Sequence, residues 1–125
     1  MPARDEHLRL ARANRDHSQR LLAAFTDDPV ARQWSVVAAF YSALHGVEAY
    51  FATFDRHNAT HVQRRNAMVD PQRGIPGKVY FAYVRLEEWS LGARYNGLAI
   101  DNRIVAEALD RFLPAIAAFV GMDQG

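Results

Sequence analysis

Along most of the chain, apolar residues return every three or four positions, the spacing of one face of an α-helix, and the two-residue alternation of a half-buried strand is scarce. From Asp5 to Phe25 the recurring positions are His7, Ala11, Asn14, Ser18, Leu21 and Phe25, with Leu8, Leu10 and Leu22 widening the stripe. The segment "TDDPVAR" then reads as a stop and a restart. Asp27 or Asp28 caps, and Pro29 takes the first helical position, where its missing N–H removes no hydrogen bond. The second predicted helix, from Pro29 to about Phe54, is apolar on nearly every side, through Val30, Trp34, Val36, Val37, Phe40, Tyr41, Leu44, Val47, Tyr50, Phe51 and Phe54. A helix apolar all round needs neighbours on every side, so this one is expected at the centre.

The remaining pattern is helical too. Asn58 or Thr60 is placed to cap a short helix, which Pro71, Gly74, Pro76 and Gly77 end. A further long helix runs from about Lys78 to Tyr95, with Val79, Tyr83, Leu86 and Ser90 on one stripe and Tyr80, Val84, Glu87, Leu91 and Arg94 beside it. Asn96 and Gly97 suit the left-handed turn that closes such a helix. Asp101 is the candidate cap of the last helix, whose stripe is Ile104, Val105, Ala108, Leu109, Phe112, Ile116 and Val120, and Pro114 inside it predicts a kink or a break. Four long helices and one short one, joined by short turns, predict an all-α fold: an antiparallel up-and-down bundle, one domain over residues 1–125. Half of the 125 residues are hydrophobic, which suits one core.

Composition removes several chemistries. The chain has no Cys, so disulfides, thiolate metal sites and a Cys nucleophile are excluded. Its first residues are charged throughout, and no run of 18 apolar residues occurs, so a soluble, cytoplasmic protein with no membrane partner is expected. No GxSxG motif and no glycine-rich phosphate loop is present, and no cofactor is implied. The net charge of +1 is unevenly spread. Residues 56 to 78 carry Arg56, Arg64, Arg65, Arg73 and Lys78 against Asp70 alone, a local charge of +4. With His57, these are the candidate phosphate-binding residues, and guanidinium groups fit phosphate in a two-pronged fork. The competing reading is a solvated loop whose Arg side chains pair with nearby acids.

The apolar central helix also carries Tyr41, His45 and Glu48, which share a face. A buried carboxylate needs a donor, and Arg15 or Arg94 on neighbouring helices are the candidates for Glu48. Together with Arg94 and Tyr95, the three residues predict a buried polar seam. His57 and His61, four apart, raise the question of a metal, but His57 falls in a predicted loop and no Glu-x-x-His pair is present, so no metal site is assigned.

The stretch "SVVAAFYSALHGVEAYFATFDRHNATHVQRRNAMV", followed by "RLEEWSLGARYNG", resembles HEPN domains, the nucleotide-binding helical bundles of higher eukaryotes and prokaryotes. The resemblance rests on Phe40, Tyr41 and His45 in the central helix, on Thr60 and His61 after it, and on Arg94 and Tyr95 at the end of a later helix; it covers roughly residues 30 to 97. It implies a homodimer, an association with RNA or a nucleotide, and a setting such as a toxin–antitoxin or defence pair with an antitoxin as protein partner. Catalytic members are similar to metal-independent endoribonucleases with an Arg-x4-6-His motif, in which Arg stabilises phosphorane charge and His moves the proton. Carried onto this chain, that motif falls on Arg56 and His61, and again on Arg12 and His17. With fourteen Arg and five His, chance supplies about two such spacings, and neither lies on the late helix where the motif belongs. The expected function is therefore an RNA- or nucleotide-binding module without robust catalysis, with a ribonuclease using Arg56 and His61 as the alternative. A protein-interaction bundle presenting Trp34, Phe51 and Trp89 is the third reading.

Overall fold

The computed structural model describes residues 3–124, and every regular element among them is helical. Helix α1 spans Arg4–Ala24, α2 Pro29–Ala52, α3 His61–Met68 and α4 Gly77–Tyr95. The last stretch is divided into α5 (Asn102–Ala106), a π-helical segment (Glu107–Phe112) and α6 (Leu113–Val120).

The caps are local and follow from side-chain chemistry. Asp28, the second of the two candidates, accepts from the N–H groups of Val30 and Ala31, and Pro29 stands in the first turn of α2. Thr60 rather than Asn58 caps α3 by accepting from Gln63 N–H at 3.1 Å, and the Gln63 side chain returns to Ala59 N–H. Asp101 caps α5 by accepting from Ile104 N–H at 2.8 Å. Helix α2 stops at Ala52, short of Phe54, because Asp55 takes the left-handed conformation (φ 57°) that a short acidic side chain tolerates. At the end of α4 the left-handed residue is Gly97 (φ 67°), from which the chain folds back so that Leu98 N–H reaches Gly92 O at 3.0 Å.

Helix α2 occupies the centre, packed by α1, α4 and α6, and its buried face includes Val36, Val37, Phe40, Val47 and Phe51. Small residues allow the close approach of α1. Ser18 donates to Ser35 O at 2.8 Å, Ser42 donates to Ala11 O at 2.7 Å, and His7 meets His45. Each of these otherwise unsatisfied buried hydroxyls finds a backbone acceptor on the opposing helix, which fixes the register of the pair. The far side of the core is Tyr83, Leu86 and Trp89 of α4 with Leu113, Ile116 and Val120 of α6.

The break expected at Pro114 is present: Pro114 has no N–H for the Asp110 carbonyl, the turns before it are taken up by the π register, and α6 restarts with Pro in its first turn. One expectation is corrected here. Phe51 and Trp89, expected on an interaction face, are core residues, fully buried and 8% exposed; only Trp34 of that trio is on the surface. The loop after α3 is shaped by Gly74, whose N–H meets Asp70 O at 2.9 Å. A Cβ there would stand 2.4 Å from that carbonyl and 2.6 Å from Met68 O, so only glycine fits.

Candidate functional site

Three helices converge on a buried ionic network. Glu48, one turn before the end of α2, is buried and accepts from Arg64 Nε at 3.2 Å and from Asn58 Nδ2 at 3.1 Å. Arg64, itself 5% exposed, donates a second time to the Asn58 carbonyl at 3.2 Å. The sequence places Glu48 opposite Arg15 or Arg94, and the structure corrects both. Arg15 forks onto Asp123 at 2.6 and 2.9 Å, and Arg94 donates to the Tyr41 hydroxyl at 2.9 Å. The loop from Thr53 to Thr60 folds back along α2, which is what delivers Asn58 and α3 to Glu48.

The network continues into α4. Glu87, 3% exposed, lies 3.3 Å from Arg65 Nε through one carboxylate oxygen and 3.1 Å from His61 Nδ1 through the other. His61 Nδ1 is also 3.2 Å from Arg64 Nη1, so the ring stands between a donor and an acceptor. With its proton on Nε2 the ring accepts from Arg64 at Nδ1, and Glu87 Oε2 is left without an aligned donor. Nε2, on a side chain 43% exposed, makes no hydrogen bond among the described residues. The Tyr83 hydroxyl is buried in the same cluster, also unpartnered; burial pushes this phenol well above its ordinary value, opposed by the nearby Arg64 charge, so it remains protonated.

A histidine pair adjoins the network. His7 Nδ1 of α1 and His45 Nδ1 of α2 are 3.1 Å apart, which requires one ring to donate and the other to accept. Burial depresses both rings below the ordinary histidine value. For His45 the neighbouring His7 and Arg64 add to the effect; for His7, Glu48 and Glu6 oppose it while His57 and Arg64 reinforce it. The linkage sign follows. Both states are neutral above the unfolded value of about 6.5, and as pH falls below it the unfolded chain takes up protons first. The melting temperature is expected to fall by about 5 °C between pH 7.5 and 5.5. In His45→Asn, which keeps a polar partner for His7 without a second charge, the fall shrinks; an undiminished fall contradicts this account.

The candidates from sequence are thus distributed over distinct surroundings. Arg64 is interior, because the register of α3 turns it to Glu48, and it is not on the basic surface. Arg65 is half exposed over Glu87. Arg56 lies over the Phe51 ring at 5.7 Å and Arg73 over the Phe54 ring at 4.6 Å, both close enough to hold the Asp70 carboxyl below its ordinary value, after the Gln72 and Arg73 N–H groups that Asp70 accepts from. Lys78 is exposed at the start of α4, and His57 faces Asp55 at 3.7 Å. Arg56 and His61 share no hydrogen bond or ion pair among the described residues, and their neighbours differ. The polar seam divides: His45 and Glu48 face α1 and α3, whereas Tyr41 and Arg94 form a separate pair. Tyr95 is 72% exposed, being the last residue of α4, and does not belong to a buried seam.

His7, Asn58, Tyr83 and Glu87 belong to the network without having been singled out as site residues. Their signal was present in part: Tyr83, Glu87, Ser90 and Arg94 recur at steps of four, three and four, a polar line along one side of the helix. Among the described residues no group of three His, Cys, Asp or Glu is arranged to hold a metal, and no helix is long and apolar enough to cross a membrane. Compared with known families, curated proteins and solved structures, the chain finds no match in any of the three.

Proposed function

We propose that this chain is a HEPN-like module, an up-and-down antiparallel bundle that binds RNA or a nucleotide through phosphate without cleaving it, as a homodimer or beside a protein partner such as an antitoxin. The observation that carries the reading is the surface at the C-terminal end of α2. There Arg56 and Arg73 lie over the rings of Phe51 and Phe54, with Lys78 exposed at the start of α4. Cations supported by aromatic rings suit a flexible, phosphate-bearing chain. The absence of cleavage is inferred from Arg56 and His61 having separate neighbours.

The geometry also limits the affinity. Arg64 and Arg65 are held by Glu48 and Glu87, which leaves Arg56, Arg73 and Lys78 for phosphate, with Asp55 and Asp70 near them. Three contacts to a single strand predict that log K falls against log salt with a slope of about −2. Fluorescence anisotropy of a labelled single-stranded RNA between 25 and about 200 mM salt measures it. Arg73→Gln with Lys78→Gln is expected to reduce the slope to about −0.7, one remaining contact. A salt-independent affinity, or a slope unchanged in the double variant, removes this reading; metal-free cleavage of the RNA returns the ribonuclease.

A further inference from the structure

Between α4 and the last helical stretch lies a cavity of about 210 Å³. Helix α4 contributes Phe81, Arg85 and Trp89, spaced four apart on one face, and the facing wall is Arg103 of α5 with Glu107 and Arg111 of the π segment, also spaced four apart. The volume is below the range of about 300–1,000 Å³ usual for clefts that bury drug-sized molecules, so the ligand it suits is small. Part of the wall is thus the π segment, a departure from α-helix that recurs at functional sites.

The charge of the wall sets the kind of ligand. Three guanidinium groups against one carboxylate, Glu107, give it a net charge of +2, and like charges gathered around one cavity repel unless an anion joins them. The acids present engage little of this donor capacity. Arg85 meets Glu88, which is outside the wall, through Nη1 alone at 3.2 Å, and Arg111 meets Glu107 through Nη1 alone at 3.1 Å. Nε and Nη2 of both make no hydrogen bond among the described residues, and the Arg103 side chain makes neither hydrogen bond nor ion pair there. Aromatic rings hold two of the cations in place: Arg85 lies over Trp89 at 4.8 Å and Arg111 over Phe112 at 5.0 Å, and these two rings are 5.7 Å apart. Donors positioned in advance lose little freedom when a ligand arrives. We infer that this cavity binds a phosphate dianion, free or as the terminal group of a monoester, on Arg85, Arg103 and Arg111. Two negative charges match the net charge of the wall, and guanidinium forks match phosphate oxygens. A phosphodiester, with one charge, matches less well, so the ligand is not a nucleic-acid backbone. Phe81, 53% exposed, offers a ring to the organic part of a monoester. The site shares no residue with the basic surface at the end of α2 and does not depend on the reading proposed for it.

The chain's two tryptophans make the test direct, because Trp89 lines the cavity and Trp34 does not. Inorganic phosphate is titrated into the full chain at pH about 8, where it carries two charges, with ionic strength held constant by sodium chloride, and the two indole N–H resonances are followed. The Trp89 signal is expected to move and saturate with Kd between about 0.1 and 3 mM, and the Trp34 signal to stay. Dimethyl phosphate, a singly charged diester, should bind at least about five-fold more weakly. Phenyl phosphate separates the two sources: binding about three-fold or more tighter than inorganic phosphate assigns the site to a monoester, and equal or weaker binding assigns it to free phosphate. Arg103 is exposed and unpaired among the described residues, so Arg103→Gln should keep the fold, checked by an unmoved Trp34 signal, and weaken phosphate at least about five-fold. The inference is overturned by Trp34 moving in parallel with Trp89, by dimethyl phosphate binding equally, by unchanged affinity in Arg103→Gln, or by no movement of Trp89 at about 20 mM phosphate.

Discussion

Replacing Arg64 by leucine is expected to lower the stability by about 3–5 kcal/mol, among the largest losses available to a single substitution in this chain. The reason is asymmetry. Arg64 and Glu48 are both buried, and removing the guanidinium leaves the carboxylate with Asn58 alone in surroundings that water does not reach. It also removes the donor that faces His61 Nδ1 and the one on the Asn58 carbonyl, so three acceptors lose their partner together. With an ordinary domain stability of about 5–15 kcal/mol, the variant should be partly unfolded at 37 °C or have its urea midpoint lowered by about 2 M. The double variant Glu48→Leu, Arg64→Leu is expected to recover most of the loss, since neither charge then remains unpaired. Equal midpoints for Arg64→Leu and the unsubstituted chain would show that Glu48 has another donor.

The second large effect is expected from Phe40→Ala, at about 3–5 kcal/mol. Phe40 is fully buried in the middle of α2, and its ring lies 5.4 to 5.9 Å from those of Tyr41, His61 and Tyr83. The cavity left by truncation would open toward the ionic network as well as the core, so the two cannot relax independently. The effects of Phe40→Ala and Arg64→Leu should therefore not add. Chemical denaturation of the four members of that cycle measures the coupling, and strict additivity would separate the core from the network.

How much of this was legible beforehand depends on whether a feature is local. Asp28, Pro29, Thr60, Asp101 and Gly97 act on backbone within a few residues of themselves, and their roles follow from side-chain chemistry alone. The central position of α2 was legible because its sequence offers no continuous polar face. The partner of Glu48 was not, since it depends on the path of the loop from Thr53 to Thr60, and two Arg residues on adjacent helices were equally eligible by spacing. The stripe of α1 likewise announced Leu21 and Phe25 as apolar but not that Val30 and Trp34 would fail to cover them. For the basic run, sequence supplied the count of charges and the structure their direction: inward for Arg64, outward for Arg56 and Arg73.

The π register of residues 107–112 bears on how relatives of this chain would be aligned. Such a segment is an α-helix that has accommodated an extra residue. A homologue lacking one residue there would present Ile116 and Val120 to the core from an uninterrupted helix. The two chains would differ by a single-position gap inside a helix rather than in a loop, and an alignment that forbids gaps in helices would misregister every residue from Leu113 onward.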